Sequence, residues 1–460
     1  MAFNLPLAYF SPRWMLIGGI LVWLFFRIST FYLTYDAEIS ERALLLFAGY
    51  IGAFVLGTYF VPSWISGRRH GNVEESVEDD RPAADGLAWL KTVSGPGVRA
   101  AANVLFALTL LFVIMRVYDL LFGRGLLELG SIQATRYADN SVDQGRSTSA
   151  VGFISGMGYP IAIPMMVFCV LFHRFLHKWQ WFTGISLFLT YAVYVVISGN
   201  RYIVLGPLFL LLVASAFAHG RLMVSRKAIY SGIAIFALAF FFVVKGTTER
   251  DVLKGAMSAV ESASIAPERW GITPSEGFMT WLNETDPTTA QTVWGWASLA
   301  WYANHGVYEF SKTVNHADPS RLYWGVAQYS IAFYFFRLLG LSEVNERGWR
   351  EQFATFGVYS TFFGPTYIDF GIILGFAYLF ALGVFTQFLY RRALQGSLLP
   401  LLLYPFFASV IFNFMTNNLI QSGLGVPIMA NIVGAYLIAK YCIQRKNGNH
   451  LNGSAPALPA

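Results

Sequence analysis

His305 and Glu309 are the pair in this chain best spaced for proton chemistry. They sit in the run WYANHGVYEF, residues 301–310. On a helix, positions four apart share a face, and a carboxylate there orients or charges an imidazole. Such an imidazole is a candidate general base for a sugar hydroxyl; a histidine satisfied at a membrane interface gives the same spacing. Arg201 is the second candidate, in a Ser-Gly-Asn-Arg turn between two apolar runs. Guanidinium is always charged and grips phosphate through two parallel hydrogen bonds, so arginines gathered at one face suit an anionic lipid pyrophosphate. Arg136, Arg250 and Arg337 belong to the same outer group. Asp369, in TYIDFGIILG, is costly in lipid and must face protein or water. Asn413, Asn417, Asn418 and Gln421 make an amide-rich segment whose members suit either sugar hydroxyls or helix caps.

Other chemistries find little footing. His173 and His177 have the i, i+4 spacing of helical metal ligands, but no third ligand is evident and Arg174 and Lys178 adjoin them. No Walker motif, metal-binding Asp-x-Asp pair or Ser-His-Asp set is found. Neither a metal nor any other cofactor is expected. Cys169 and Cys442, the two cysteines, fall inside apolar runs, which argues against a disulfide framework. Gly371-x-x-x-Gly375 reads as a helix-packing pattern.

The elements that must position these groups are membrane helices. Of the 460 residues, 55% are hydrophobic and 13% charged, against roughly 25% charged in soluble domains. Continuous apolar runs near the length of a bilayer crossing recur along the chain, which predicts an all-α polytopic membrane protein and disfavours a β-barrel. Spans are expected at about 15–35, 43–62, 100–122, 151–172, 181–198, 202–218, 229–245, 361–389, 398–416 and 425–443. The aromatic stretches 290–310 and 323–341 would add a pair, or form re-entrant or interfacial helices. The expected organisation is a bundle over 1–245 with a polar linker at 63–99, a large loop over 246–359, helices over 360–446 and a polar tail. With the N-terminus inside, inner segments hold 16 of the 32 Lys and Arg; setting aside the eight in the long loop, the outer side holds eight. That bias places the long loop outside the cytoplasm. His305 and His316 then fall outside and the other five histidines inside. The net charge of +6 is explained by inner basic loops against anionic lipid, not by nucleic acid.

At these residues the chain resembles the Wzy-type O-antigen polymerases, which join oligosaccharide repeat units. The resemblance rests on the SGNR turn at Ser198–Arg201, the large outer loop with Tyr302–Phe310, and the late TFFGPTYIDFGIILG run followed by the pair Arg391 and Arg392. It implies a fold of the membrane-embedded, GT-C-like glycosyltransferase class, inverting and metal-independent. It further implies donor and acceptor glycans carried on undecaprenyl diphosphate, a bacterial inner-membrane location with a periplasmic active face, and a chain-length regulator as partner. On this resemblance Arg201, with Arg136 and Arg250 behind it, binds the pyrophosphate, and His305 with Glu309 serves the acceptor hydroxyl. Asp369, Asn417, Asn418 and Arg337 are the candidates for contacting sugar. Two alternatives stay open: an O-antigen ligase, and a lipid or polysaccharide transporter or flippase.

Overall fold

The computed structural model describes residues 3–60, 93–119, 122, 150–197, 202–224, single positions between 230 and 245, 258–338, 340, 346–355, 361–421 and 424–451. Strand β1 (Phe3–Pro6) leads into helix α1 (Pro12–Ser29), and strand β2 (Leu33–Tyr35) follows it. β1 pairs antiparallel with β3 (Arg221–Val224), and β2 with β4 (Ile272–Pro274). The two small sheets therefore clip opposite ends of α1, called here the β1 end and the β2 end.

Between β1 and β3 the chain runs through α2 (Glu41–Tyr59), α3 (Gly95–Tyr118), α4 (Ala150–Gly158), α5 (Ala162–Leu171), α6 (Lys178–Ile197) and α7 (Tyr202–His219). α4 and α5, joined by one 3-10 turn, act as a single crossing. Local sequence sets the starts: the Ser40 hydroxyl accepts from the Ala43 N–H, and Ser94 caps α3 ahead of Pro96. α3 thus begins inside the stretch expected as linker.

After β3 come α8 (Ala259–Ser264), α9 (Ala266–Trp270), β4, α10 (Glu276–Glu284) and α11 (Pro287–His316). Next are α12 (Ser330–Leu338), α13 (Glu346–Arg350), α14 (Phe363–Leu394), α15 (Leu398–Phe412) and α16 (Gly425–Leu451). Among the described residues six helices are long and apolar enough to cross a membrane: α1, α2, α3, the α4–α5 unit, α14 and α16. α15 and the segment Gly206–His219 are shorter apolar helices. The 229–245 stretch lies mostly outside the described residues.

Neither aromatic stretch of the long loop is among the six. α11 starts where the Asp286 carboxylate accepts from the Thr288 and Thr289 N–H groups, with Pro287 at its first position. It crosses the β2 end of the bundle. Trp296 meets Phe26 at the end of α1, Ser311 bonds Ser40 at the start of α2, and Phe310 meets Phe363 at the start of α14. The 323–341 stretch is a tight turn followed by α12, at nine residues too short to span.

The tightest seam is α2 against α14. A Cβ at Gly57 would overlap the Phe380 carbonyl, and one at Gly383 would overlap the Phe54 carbonyl, so the two backbones touch. Gly375 likewise faces Tyr50, as a packing glycine should. Gly371 behaves differently. Its φ of 60° and ψ of −156° break α14, and its carbonyl accepts the Tyr50 hydroxyl at 2.7 Å. Buried backbone at a break needs such a partner in lipid.

Candidate functional site

α11 carries His305 into a fully protein-lined position. The ring stacks on Trp301 one turn before it, with centroids 4.3 Å apart, and Tyr302 meets it edge-on. Trp301 is pinned in turn, because its indole N–H donates to the Trp270 carbonyl at 3.1 Å, and Trp270 stacks on both Trp294 and Trp301. The His305 Nδ1–H donates to the Trp301 carbonyl at 2.9 Å, which fixes the tautomer and puts the basic lone pair on Nε2.

Glu309 lies one turn on, on the shared face the spacing predicts, and is buried, yet it is not what holds the ring. Its Oε1 takes the Lys312 ammonium at 2.8 Å. Lys312, at i+3, outcompetes the imidazole at i−4 because it brings a full charge. The orienting group is a backbone carbonyl instead.

Burial pushes the His305 pKa down to about 4, outweighing the upward pull of the Trp301 carbonyl and the Glu309 charge. The imidazole is therefore neutral at physiological pH and able to accept a proton, although as a weak base. The same shift makes stability depend on pH. An unfolded histidine titrates near 6.5, so between about 4 and 6.5 the unfolded chain holds the extra proton. This contribution is fully present above about 6.5 and is lost as pH falls toward 4; it amounts to roughly 3 kcal/mol. Thermal unfolding of the wild type should shift downward as pH drops from 7 to 4.5. In His305→Phe that shift should shrink by several degrees, and an unchanged pH slope would contradict the burial argument.

Asp369 is at the centre of a second polar cluster. It is fully buried at the end of the first segment of α14. Its two carboxylate oxygens accept the Ala327 and Gln328 N–H groups at 2.8 and 2.7 Å, and its carbonyl accepts the Trp324 N–H at 3.0 Å. The Gln328 side-chain oxygen accepts from the Asn418 amide at 2.8 Å, and Asn418 Oδ1 accepts the Ile420 and Gln421 N–H groups. Asp369 and Asn418 are thus brought together through Gln328, in a knot tying the 324–329 turn to α14 and to the α15–α16 connection. Their acceptors are occupied by protein, which makes them positioning groups. Asn417 is buried beside them.

Arg337 lies on α12, and its side chain is outside what is described. Arg136, Arg201 and Arg250 lie outside the described residues. The helices flanking Arg201 are α6 and α7, and α7 runs from Tyr202 to His219, next to β3 at the β1 end. Arg116 and Asp119, one turn apart on α3, form a 3.4 Å ion pair. At the opposite end His173 pairs by stacking with His219 rather than with His177.

Two groups at the site carry no sequence motif. Gln328 sits unmarked in GVAQYSIAF and acquires its partners only through contacts far along the chain. Asn304 is fully buried next to His305; its amide faces the Tyr35 hydroxyl, and neither amide atom is held in a close, well-aligned hydrogen bond. Buried amides of that kind bind ordered water or ligand. No protein-family model, no curated protein and no solved structure matches the chain.

Proposed function

We propose that this protein is a membrane glycosyltransferase that polymerises lipid-linked oligosaccharide repeat units, as its resemblance to the Wzy-type polymerases implies. In this reading the β2 end is the extracytoplasmic face of a bacterial inner membrane. The observation that carries the proposal is the placement of His305, a neutral imidazole with a fixed tautomer, buried beneath stacked tryptophans at the end of the bundle where Arg201 is also expected.

The chain crosses ten times in this reading. β3 and β4 belong to opposite ends of α1, so an odd number of crossings separates Val224 from Ile272, and the apolar stretch 229–245 supplies one. α6, α7 and α15 then complete the set, with both termini at the β1 end. Such an arrangement is in keeping with the GT-C-like class.

The reaction needs the leaving diphosphate neutralised and the acceptor hydroxyl deprotonated. Arginine at Arg201, backed by Arg136 and Arg250, would meet the first need by electrostatics. His305 Nε2 would meet the second, with Glu309 and Lys312 setting the local charge. Asn304, whose amide has hydrogen-bonding capacity left beside the Tyr35 hydroxyl, replaces Asp369 and Asn418 as the group most suited to a sugar hydroxyl.

Deleting the gene tests this in cells. The expected outcome is surface glycan reduced to single repeat units, restored to polymer by the wild-type chain. Complete absence of glycan from its final acceptor would indicate a ligase, and unchanged polymer would remove the protein from polymerisation.

A further inference from the structure

The 324–329 turn is strained in a way its surroundings enforce. Trp324 has φ of 52° and is the non-glycine residue with positive φ among the described residues. A bulky side chain rarely adopts that conformation, and it persists only where neighbours over-determine it. Here the Asp369 carboxylate and carbonyl between them hold three successive parts of the turn. The consequence is an indole turned outward, 65% exposed, while Val326 and Ala327 behind it are buried with Trp349 and Ile368.

The depth of this indole follows from α14. Beyond the break at Gly371, Ile372, Ile373 and Leu374 are exposed, Ile373 by 80%, and a span that exposes isoleucine and leucine in this way presents them to lipid. Arg391 and Arg392 mark the other end of the same helix. At 1.5 Å per residue, Ile372 and Arg391 stand about 29 Å apart, close to one hydrocarbon thickness. The Trp324 N–H is bonded to the Asp369 carbonyl, three residues outside Ile372, which puts the exposed ring near headgroup level. Tryptophan is enriched at that level because its ring is apolar and its N–H seeks a partner.

We propose that the Trp324 turn anchors the protein in the headgroup layer of the bilayer at the β2 end, with its depth set by Asp369. The partner is phospholipid, and the anchor fixes the height of the loop segment that packs around it. This inference stands apart from the glycosyltransferase reading.

Depth-dependent quenching tests it. A fluorophore is placed on Trp324→Cys in a chain with Cys169 and Cys442 replaced by alanine. The protein is reconstituted in phosphatidylcholine–phosphatidylglycerol vesicles carrying a nitroxide either on the headgroup or deep in the acyl chain. Ile373→Cys and the exposed Thr280→Cys serve as lipid and water references. The headgroup nitroxide should quench the Trp324 probe at least twofold more than the deep one, and aqueous iodide should quench it less than the Thr280 probe. Quenching by iodide equal to that at Thr280, with neither nitroxide effective, overturns the proposal and points to a soluble partner such as a glycan. Strongest quenching by the deep nitroxide also overturns it. If the cysteine variant fails to insert, the same readout is taken from a probe on Leu322→Cys, two residues before Trp324.

Discussion

Asp369→Ala should be the most damaging single substitution at the β2 end, lowering stability by roughly 2–6 kcal/mol, since it orphans two buried donors at about 1–3 kcal/mol each. The Ala327 and Gln328 N–H groups have no route to water, because both residues are fully or nearly fully buried. Loss of their acceptors frees the Trp324 turn and loosens Gln328 from Asn418, so the damage spreads to the α15–α16 connection. Asn is no remedy: its NH2 would face one of the same donors at 2.7–2.8 Å. Thermal unfolding in detergent should show a midpoint fall of many degrees for both variants, or no recoverable folded protein. A midpoint within a degree of the wild type would show that the knot is not structural.

Arg201→Ala should abolish chain extension while protein amount and membrane insertion persist. The expected loss is at least a hundredfold in rate, comparable to removing one preorganised donor from a developing charge. Arg201→Lys should recover only part, because a point charge cannot make the paired hydrogen bonds of a guanidinium. His305→Ala should lower turnover by 10²-fold or more with little change in donor binding, as expected for a proton-transfer group. Polymer of normal length from Arg201→Ala would remove that residue from the mechanism, and normal turnover from His305→Ala would do the same for the imidazole.

Much of the architecture was legible because it follows from local rules. Apolar runs of bilayer length named the helices, six of which are long and apolar enough to cross a membrane among the described residues. The shared face of His305 and Glu309 also followed from spacing alone. What the sequence did not disclose depends on contacts between distant residues. Strands β1 and β2 are four and three residues long, too short to show alternation, yet their pairing sets the two ends of the bundle. Gly371 looked like a packing glycine because its pattern with Gly375 is the same whether the helix is intact or broken; the Tyr50 hydroxyl that donates to the carbonyl freed at the break comes from α2. Asp369 and Asn418 read as sugar contacts because polar groups at a membrane face suit that role. Only the arrival of Gln328 from the loop shows their atoms already engaged.

Glu309 illustrates the limit most sharply. Spacing pointed to His305 behind it, whereas the structure pairs it with Lys312 ahead, because charge favours the lysine. The carbonyl that holds the imidazole belongs to Trp301, and Trp301 is fixed by Trp270 from a separate helix. A buried histidine with a lowered pKa is therefore the product of tryptophans brought together by folding.

The most direct measurement is to incubate the purified protein, reconstituted in lipid, with an undecaprenyl-diphosphate-linked repeat unit and resolve the products by size. The account predicts a ladder of lipid-linked chains that lengthens with time and disappears with Arg201→Ala. Recovery of the unit-length substrate alone from folded protein, across repeat units of differing sugar composition, would contradict it.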